Sequence, residues 1–467
     1  MRKLLFILVL ISGNLCAQNL GFNGAGFFEN YDADVEQYLK DMHQPFTIRV
    51  PGGAISKFHD PFNVRKGWGM SAENISTWFE KSGFDEDGNG LEKWLRKTSE
   101  QPNHSYLDDL IQLQKTFPDM TVLYVLNVLN STPEANMLTI KYLMQNNVKV
   151  VGVEAGNEVY GKYASFNEYA DDFEPIFKLI EKEFPQIKKG IVAGANTGRK
   201  DIEKWNEALA AYKGDYDAVI LHYYYTTREL EEVYNMIPLR SDFDEGKNNP
   251  ELEKAYKKAA DVLLTKKLLE DGIDYAHQQF KNKVIWITEW NTKPSEYLNN
   301  TIVNGAWQFK EMVELRNDIE YFCVHNGVSP DKYGMISKST KADSKSNPML
   351  KRIGYYSYVL AAEVENGEQL KRNEKFILHE DEDGEICLYF TNLDEAYEAL
   401  IDYGKIEIES AVINYVSGKH LYSAAGTTGY MGKESKPSYE VNEIKREKFT
   451  GIIPANSYGY IRVTLRK

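Results

Sequence analysis

The sequence has few cysteines and no concentration of positive charge. Three cysteines occur in 467 residues, which excludes a disulfide framework, and no Cys/His cluster has the spacing of a zinc site. Cys323 and Cys387 lie far apart in apolar runs and are predicted to be free, buried thiols. The formal net charge is −14, and basic residues occur only in short pairs, whereas a nucleic-acid-binding protein carries an extended basic patch. We therefore expect no nucleic-acid partner, no metal and no organic cofactor.

Long hydrophobic runs are also absent, so no segment is expected to span a membrane. A short apolar run at residues 4–11 follows two basic residues, and the small residue Ala17 stands where cleavage would occur. This pattern predicts a signal peptide over residues 1–17 and a secreted or periplasmic protein. The alternative is a lipoprotein anchored at Cys16, which Leu15 disfavours because a small residue usually precedes a lipidated cysteine.

Residues 18–365 alternate short apolar runs with amphipathic stretches. The short runs are rich in β-branched residues, as expected for parallel strands that are buried on both faces. The alternation predicts a (β/α)8 TIM barrel. A doubly wound open sheet is the alternative, but residues 21–26 match a glycine-rich phosphate loop poorly. The predicted strands are 21–28, 46–50, 121–127, 149–154, 190–195, 218–222, 284–288 and 321–324; the predicted helices are 106–115, 133–145, 166–184, 251–280 and 297–317.

Residues 366–467 show a different pattern of short strands and turns without a long helix. This pattern predicts a C-terminal antiparallel β-sandwich domain, with Asp383-Gly384 as a hairpin turn. Neither an internal repeat nor a low-complexity linker separates the two regions, so we expect the two domains to pack closely. The predicted strands are 376–379, 385–392, 405–416, 439–441, 449–453 and 458–464.

Polar motifs follow several of the predicted barrel strands. Barrel enzymes place functional groups at the carboxyl ends of their strands, and here Asn157-Glu158 follows strand 4 while Thr288-Glu289-Trp290-Asn291 ends strand 7. Two carboxylates across a barrel mouth suit cleavage of a glycosidic bond, because one can protonate the leaving oxygen while the other attacks the anomeric carbon. A separation of about 5–5.5 Å would imply retention of configuration, and about 6.5–9.5 Å inversion.

In this order and at these strands, the motifs resemble clan A of the glycoside hydrolases over residues 19–365. The resemblance implies that Glu158 is the catalytic acid/base, that Asn157 binds the sugar, and that Glu289 is the nucleophile. It also implies that Arg49 contacts the nucleophile. His222-Tyr223-Tyr224 resembles a His-x-Tyr pattern in which the tyrosine, Tyr224, donates a hydrogen bond to the nucleophile.

Within the clan, the segment Arg49-Val50-Pro51-Gly52-Gly53 looks like the α-L-arabinofuranosidase and heparanase-like branches. Two segments depart from that pattern: Val159-Tyr160-Gly161 after the acid/base, and His325-Asn326-Gly327 where many members place tryptophan after strand 8. The departures leave the sugar open. Further residues near strand ends are candidates to line the sugar subsites: His222, Trp290, Asn127, Asn196 and His325.

The sequence therefore predicts a retaining hydrolase of plant or algal poly- or oligosaccharides, with α-L-arabinofuranosidase activity as one possibility. An endo-acting polysaccharide hydrolase, of the agarase or xylanase type, is the first alternative, although the long insertions 56–103 and 226–250 favour a short pocket. A secreted carbohydrate-binding protein on an inactive barrel is the second, disfavoured because both carboxylates are present. The acidic turn at residues 85–90 resembles half of a calcium loop but lacks its closing glutamate. The sequence does not specify an oligomeric state.

Overall fold

The computed structural model describes residues 19–24, 27–28, 33–42, 45–82, 89–195, 198–235, 248–295, 297–315, 318–329, 333–337, 350–364, 368–372, 376–380, 385–399, 407–425 and 441–466. Eight parallel strands close into a barrel in sequence order, which confirms the predicted TIM barrel. The barrel closes where the eighth strand pairs with the first. The strands are β1 (Asn19–Asn23), β2 (Thr47–Val50), β3 (Thr121–Val125), β4 (Val150–Glu154), β5 (Lys188–Val192), β6 (Ala218–Tyr225), β7 (Val284–Thr292) and β8 (Tyr321–Val324).

Helices follow the strands and cover the outside of the barrel. A 3-10 helix, Gly53–Lys57, comes directly after β2. The α-helices are α1 (Ala33–Lys40), α2 (Ala72–Ser82), α3 (Asn89–Ser99), α4 (Tyr106–Thr116), α5 (Pro133–Gln145), α6 (Phe166–Glu183), α7 (Lys200–Ala211), α8 (Arg228–Tyr234), α9 (Pro250–Thr265), α10 (Leu268–Gln279), α11 (Ile302–Glu314) and α12 (Ile353–Ala362).

Several predicted elements differ from the structure, four of them around the barrel mouth and its outer helices. The stretch 251–280 forms two helices rather than one, because extended backbone at Lys266 ends α9. The stretch 297–317 becomes helical only at Ile302, where the side chain of Thr301 caps the first turn. Strands β6 and β7 continue to Tyr225 and Thr292, beyond their predicted ends, because they stay paired past a bulge at His222 and Glu289.

One large side chain packs inside the barrel, away from the carboxyl ends of the strands. The ring of Trp286, in β7, is fully buried, and its Nε1 donates to Glu320 at 2.9 Å. A Cβ added at Gly152 or Gly190 would lie 2.6 Å or 2.8 Å from this ring, so both glycines are needed for its fit. The opposite end of the barrel is thereby left to the polar residues at the strand ends.

The C-terminal region is a six-stranded antiparallel sheet that carries a two-stranded sheet on one face. Side chains alternate between its two faces, as expected for strands. Ile386 and Phe390 pack with Ile453 of the small sheet, whereas Cys387 and Tyr389 pack on the barrel core. This agrees with the predicted sandwich. The strands are β11 (Glu368–Arg372), β12 (Phe376–Glu380), β13 (Ile386–Asn392), β15 (Ile408–Gly418), β16 (Val441–Lys448) and β18 (Ser457–Leu465) in the large sheet, and β14 (Tyr397–Glu398) and β17 (Ile452–Ile453) in the small one; a separate pair, β9 (Ile336–Ser337) and β10 (Leu350–Lys351), follows the barrel.

The barrel and the C-terminal sheet share one hydrophobic core. Ser357 of α12 and Tyr458 of β18 are hydrogen-bonded through their hydroxyls at 2.9 Å, and both side chains are fully buried. Close packing of the two regions is thus confirmed. Cys323 and Cys387 are buried and neither forms a disulfide, as predicted. Within the described ranges, no helix has the length and apolar character that crossing a membrane requires.

Candidate active site

Side chains from four strand ends converge on Glu289 of β7. Arg49 Nη1, in β2, donates to Oε1 of Glu289 at 2.6 Å, and Asn23 Nδ2, in β1, donates to the same oxygen at 2.7 Å. Tyr224 Oη, in β6, donates to Oε2 at 2.6 Å. His325, after β8, brings its Nδ1 to 3.8 Å from Oε2. Three hydrogen bonds, one of them from a guanidinium, favour the ionised form of this carboxyl group.

The electrostatic surroundings of Glu289 act in the same direction. Burial would by itself raise the pKa of this carboxyl, because only 6% of the side chain is exposed. Electrostatic interactions with His222, His325 and Arg49 lower the pKa and outweigh burial. Together with the hydrogen bond from Tyr224, they hold the pKa of Glu289 well below its usual range. Glu289 is therefore an anion that faces the barrel mouth at any ordinary pH.

Arg49 connects three of the groups around the mouth. Its Nε donates to both oxygens of Glu154, in β4, at 2.9 Å each, and its Nη2 donates to Asn157 Oδ1 at 2.9 Å. Burial lowers the pKa of Arg49, but Glu154 and Glu289 reverse this effect and raise it above the ordinary value. The guanidinium stays positively charged, and its hydrogen bonds to Glu154 and Glu289 fix its position.

Glu158 reaches the mouth through a sharp turn after β4. Gly156 has φ 91° and Glu158 itself has φ 47°, a left-handed conformation that residues with a Cβ seldom adopt. Such backbone is often retained at functional sites. The Glu158 side chain is 37% exposed, and its Oε1 lies 3.2 Å from His222 Nδ1. The other ring nitrogen of His222 lies 3.2 Å from Thr288 Oγ1, which orients the imidazole.

The two glutamates differ in their electrostatic surroundings. Burial raises the pKa of Glu158, whereas the hydrogen bond and charge of His222 lower it. The negative charge of Glu289 raises the pKa of Glu158, and Lys57 lowers it, so that the net shift is below the ordinary value. Glu158 is repelled by its neighbouring carboxylate and partly open to solvent, whereas Glu289 is enclosed by cations and donors. Glu158 is thus the carboxyl of the pair that exchanges a proton more readily.

The carboxylates are close enough to act on one bond. Oxygens of Glu158 and Glu289 and a ring nitrogen of His222 all lie within 4.8 Å of one another. A group of this size could also surround a metal ion. Both oxygens of Glu289 already accept hydrogen bonds, however, and the Arg49 guanidinium is in contact with one of them. A divalent cation would have to compete with that fixed positive charge, so the donor set suits a metal poorly.

The tyrosines of β6 separate according to strand alternation. Tyr224 points inward and contacts Glu289, whereas Tyr223 and Tyr225 point to the other face and stack on each other with centroids 5.7 Å apart. His325 packs edge-on to Tyr224, with centroids 5.7 Å apart. The structure therefore brings together six of the residues singled out from the sequence around the pair. These are Glu158, Glu289, Arg49, Asn157, His222 and Tyr224, with His325 at their edge.

Two predicted lining residues do not join this group in the structure. Trp290 is fully buried on the outer face of β7, where it stacks on Phe322 with centroids 4.4 Å apart. The side chain following Glu289 must point away from the mouth because strand side chains alternate. Asn127 is buried and its Nδ2 donates to the carbonyl oxygen of His59, so it joins two loops. Asn196 lies outside the described residues.

Sequence reasoning missed three residues near the pair. Asn23 ends β1 and donates to Glu289; a polar residue at a buried strand end was the available signal. Glu154 lies inside the barrel against Arg49, and its position within an otherwise apolar strand was the signal. Lys57 ends the 3-10 helix after β2, and nothing in its sequence context marks it. The acidic turn at residues 85–88, like residues 1–17, lies outside the described residues.

The fold is similar to several solved glycoside hydrolase structures at low sequence identity. An α-L-arabinofuranosidase from Thermotoga maritima superimposes with a TM-score of 0.60 at 15% identity, covering 97% of each chain. A family 51 α-L-arabinofuranosidase from Bifidobacterium longum has a TM-score of 0.58 at 12% identity, covering 97% of this chain and 96% of the other. A family 44 xyloglucanase from Paenibacillus polymyxa has a TM-score of 0.51 at 11% identity, covering 95% and 96%. No protein-family model and no curated protein sequence matches the chain.

Proposed function

We propose that the protein is a retaining glycoside hydrolase in which Glu289 is the nucleophile and Glu158 is the acid/base. The observation that carries the proposal is the pair itself: carboxylates at the ends of β4 and β7 whose oxygens approach within 4.8 Å. Retaining enzymes hold their carboxyl groups about 5–5.5 Å apart, whereas inverting enzymes leave about 6.5–9.5 Å for a water. The short separation favours direct attack by a carboxylate.

The contacts of the two groups support a division of labour. Glu289, ionised by its surroundings, attacks the anomeric carbon while Glu158, in its protonated form, gives a proton to the departing oxygen. The product of this step is a glycosyl ester of Glu289. Glu158, now ionised, takes a proton from water, which attacks the same carbon and releases the sugar with its original configuration. Neither step calls on a metal or an organic cofactor.

When Glu289 becomes an ester it loses its negative charge, and this loss changes the pKa of Glu158. The negative charge of Glu289 is one cause that raises the pKa of Glu158. Once the ester has formed, that charge is gone, and the pKa of Glu158 falls. Glu158 is therefore more readily protonated before the first step, when it acts as an acid. It is more readily ionised before the second step, when it acts as a base. This coupling is the change of role that a retaining mechanism needs.

For substrate, we propose an exo-acting enzyme with α-L-arabinofuranosidase-like specificity on plant or algal saccharides. Two of the structurally similar proteins are named as α-L-arabinofuranosidases. The segment between Pro51 and Ser105 inserts the 3-10 helix, α2 and α3 after β2, and a long insertion after a barrel strand favours a pocket over an open cleft. The competing specificity is endo-hydrolysis of a polysaccharide, in line with the similarity to a xyloglucanase. We also propose that the protein is secreted or periplasmic.

A panel of aryl glycosides tests the activity. Arabinofuranosides, xylosides, galactosides and glucuronides with a 4-nitrophenyl leaving group are incubated with the wild type and with Glu289→Gln, and polysaccharides are digested in parallel. We expect the wild type to release nitrophenol from at least one glycoside and Glu289→Gln to lose that activity. Glu183→Gln, in an exposed ion pair on α6, is the matched control and keeps wild-type rates. Sugar binding without hydrolysis by the wild type would point instead to an inactive carbohydrate-binding barrel.

Azide rescue separates the two roles. In Glu158→Ala, azide can occupy the vacated space and attack the glycosyl ester, and we expect a glycosyl azide that retains the substrate's configuration. In Glu289→Ala, azide takes the place of the nucleophile and gives the inverted product. The configuration is read by proton NMR. If Glu158→Ala gave the inverted azide and Glu289→Ala the retained one, the roles of the two glutamates would be exchanged. Inversion of configuration by the wild type would refute the retaining mechanism.

A further inference from the structure

The two oxygens of Glu289 have different hydrogen-bond partners. Oε1 accepts from Arg49 Nη1 at 2.6 Å and from Asn23 Nδ2 at 2.7 Å. Oε2 accepts from Tyr224 Oη at 2.6 Å. A carboxylate oxygen that accepts one hydrogen bond keeps more of its lone-pair density than one that accepts two. Oε2 is therefore the oxygen of Glu289 that is better placed to form a bond to the anomeric carbon.

Two imidazole rings flank this oxygen at nearly equal distances. Nδ1 of His222 lies 3.9 Å from Oε2, and Nδ1 of His325 lies 3.8 Å from it. Nδ1 of His222 already has an acceptor, because Glu158 Oε1 is 3.2 Å away. Nδ1 of His325 is buried and has no hydrogen-bond partner among the residues that the structure describes. A buried polar atom without a partner is costly, and such atoms are found at functional sites.

The ring of His325 is held in this orientation by its neighbours. Its backbone N donates to the Trp290 carbonyl oxygen at 3.1 Å, and its own carbonyl oxygen accepts from Asn291 Nδ2 at 2.7 Å. The imidazole packs edge-on against the rings of Tyr224 and Tyr333, with centroids 5.7 Å and 4.9 Å away. These contacts fix both the backbone and the ring, so that Nδ1 stays directed toward Oε2.

The position of Nδ1 beside a carboxylate determines where the imidazole carries its proton. A lone pair on Nδ1 would be repelled by the negative charge of Oε2, so Nδ1 of His325 carries a hydrogen in the neutral ring as well as in the protonated one. A distance of 3.8 Å is too long for a hydrogen bond, and the interaction is therefore electrostatic. Burial raises the pKa of Glu289, and His325 is among the groups that lower it. His325 thus stabilises the ionised carboxylate relative to an ester, in which Oε2 carries no charge.

We infer that His325 is a positioning residue that acts through Glu289: its Nδ1–H stabilises the carboxylate as Glu289 leaves the anomeric carbon in the second step. The inference rests on the proposed function, because it requires a glycosyl ester of Glu289. In that step the oxygen of water bonds to the anomeric carbon and a proton of the water passes to Glu158. The bond between that carbon and Oε2 breaks, and its electron pair returns to Oε2, beside Nδ1–H.

The two steps should respond differently to this interaction. An interaction accelerates a step only if it is stronger in the transition state than in the state before it. During departure the charge on Oε2 grows, so the contact with His325 becomes stronger. During the first attack the same charge is consumed, so the contact becomes weaker. Removal of Nδ1–H should therefore slow the second step and leave the first step unchanged or slightly faster.

Substitution of His325 by phenylalanine tests this difference. His325→Phe keeps a planar ring against Tyr224 and Tyr333 and removes the N–H. The probe is the 4-nitrophenyl glycoside that the wild type hydrolyses fastest in the panel above. We expect the second step to slow about three- to tenfold, as the loss of one polar interaction gives. In the steady state kcat and KM should fall together, while kcat/KM stays within about twofold of wild type or rises.

The glycosyl-enzyme gives a direct measurement of the second step. In His325→Phe the initial burst of nitrophenol should be larger than in the wild type, and intact-protein mass spectrometry of quenched samples should show more of the sugar adduct. The decay of this adduct after removal of excess substrate is then followed with time. Its rate constant should fall by the same three- to tenfold factor, and added methanol, as a second acceptor, should raise kcat.

Further variants separate the N–H from the packing of the ring. His325→Asn places an amide nitrogen near the position of Nδ1 and should restore most of the decay rate. His325→Gln carries its nitrogen farther out, so it should behave like His325→Phe and replaces it if that variant does not fold. His277→Asn, at an exposed position on α10, is the matched control and should behave as the wild type. Wild-type decay of the adduct in both His325→Phe and His325→Gln overturns the inference, as does an equal loss of kcat and kcat/KM.

The inference and the proposed function fail in different ways. If the wild type hydrolyses no glycoside, or if Glu289→Gln remains active, the proposed function fails and the role of His325 fails with it. If hydrolysis depends on Glu289 but the adduct decays at the same rate with and without Nδ1–H, the role of His325 fails alone.

Discussion

Glu154 and Glu289 both contact the guanidinium of Arg49. We predict that mutation distinguishes a structural role of Glu154 from the catalytic role of Glu289. Glu154 and Arg49 are joined by contacts of 2.8–2.9 Å, and neither side chain is exposed. Replacing Glu154 by glutamine keeps the volume but turns an amide group toward the Arg49 guanidinium. Breaking a buried ion pair by removing one partner costs about 3–5 kcal/mol, against a total stability of about 5–15 kcal/mol for a typical protein. Glu154→Gln should therefore lose a large part of the free energy of unfolding.

Catalytic activity should depend much more on Glu289 than on Glu154. Glu289 keeps its contact with Arg49 in Glu154→Gln, so kcat/KM on an activated glycoside should stay within about tenfold of wild type, which corresponds to about 1.4 kcal/mol. Glu289→Gln removes the nucleophile and should lose several orders of magnitude of activity. Glu289→Gln also breaks a buried ion pair with Arg49, so it too should be less stable than the wild type, and activity in the folded state is what distinguishes the two variants.

The assay combines urea unfolding, followed by tryptophan fluorescence, with hydrolysis at a temperature where every variant is folded. Glu183→Gln is the control for stability, because its partner Lys141 lies 2.7 Å away in a pair that is 37% and 32% exposed, and such pairs contribute about 1 kcal/mol or less. A wild-type unfolding midpoint for Glu154→Gln would refute the energetic reasoning. Loss of activity in folded Glu154→Gln as complete as in Glu289→Gln would refute the division of roles.

Two further substitutions probe the same carboxylates. Tyr224→Phe removes a 2.6 Å hydrogen bond to Glu289, which should raise the pKa of that carboxyl and lower kcat/KM by about 10–100-fold, in keeping with about 1.5–3 kcal/mol for a charged hydrogen bond; an unchanged rate would contradict this. His222→Asn removes the imidazole whose hydrogen bond and electrostatic effect lower the pKa of Glu158, so that pKa should rise. Because Glu158 must be protonated in the first step, the alkaline limb of kcat/KM should move to higher pH, and a shift to lower pH would be inconsistent with the assignment.

Strand ends could be read from the sequence because they combine two local signals. A buried parallel strand is a short apolar run, and a polar residue directly after it has few structural reasons to be there. Glu289 directly follows its apolar run, and Asn157 and Glu158 follow theirs within a few residues. The structure brings these three to one mouth, where Arg49 is bonded to Glu289 and Asn157. The helix α12 could not be read in this way, since every residue from Ile353 to Ala361 is buried and no apolar stripe distinguishes one face.

Contacts across the barrel could not be predicted from the sequence, because they depend on strand register. Trp290 looked like a sugar-binding ring, but the pairing of β7 with its neighbours turns it to the outer face. Among the three consecutive tyrosines of β6, only the register of the strand decides that Tyr224 meets Glu289. Asn23 has no neighbour in the sequence to mark it, and it reaches Glu289 across 266 positions because the barrel closes. Pairwise register is a property of the closed sheet.

By itself, the sequence determined the alternation of strands and helices, the C-terminal sandwich and the placement of two glutamates at strand ends, because each is encoded in local hydrophobic period and motif order. Only the tertiary structure decided how close the two carboxylates come and which of them is enclosed by Arg49, Asn23 and Tyr224. These depend on distances between segments that are far apart in the chain. Charges separated by a few ångströms in a buried site set each other's ionisation, and a linear sequence carries no such distances.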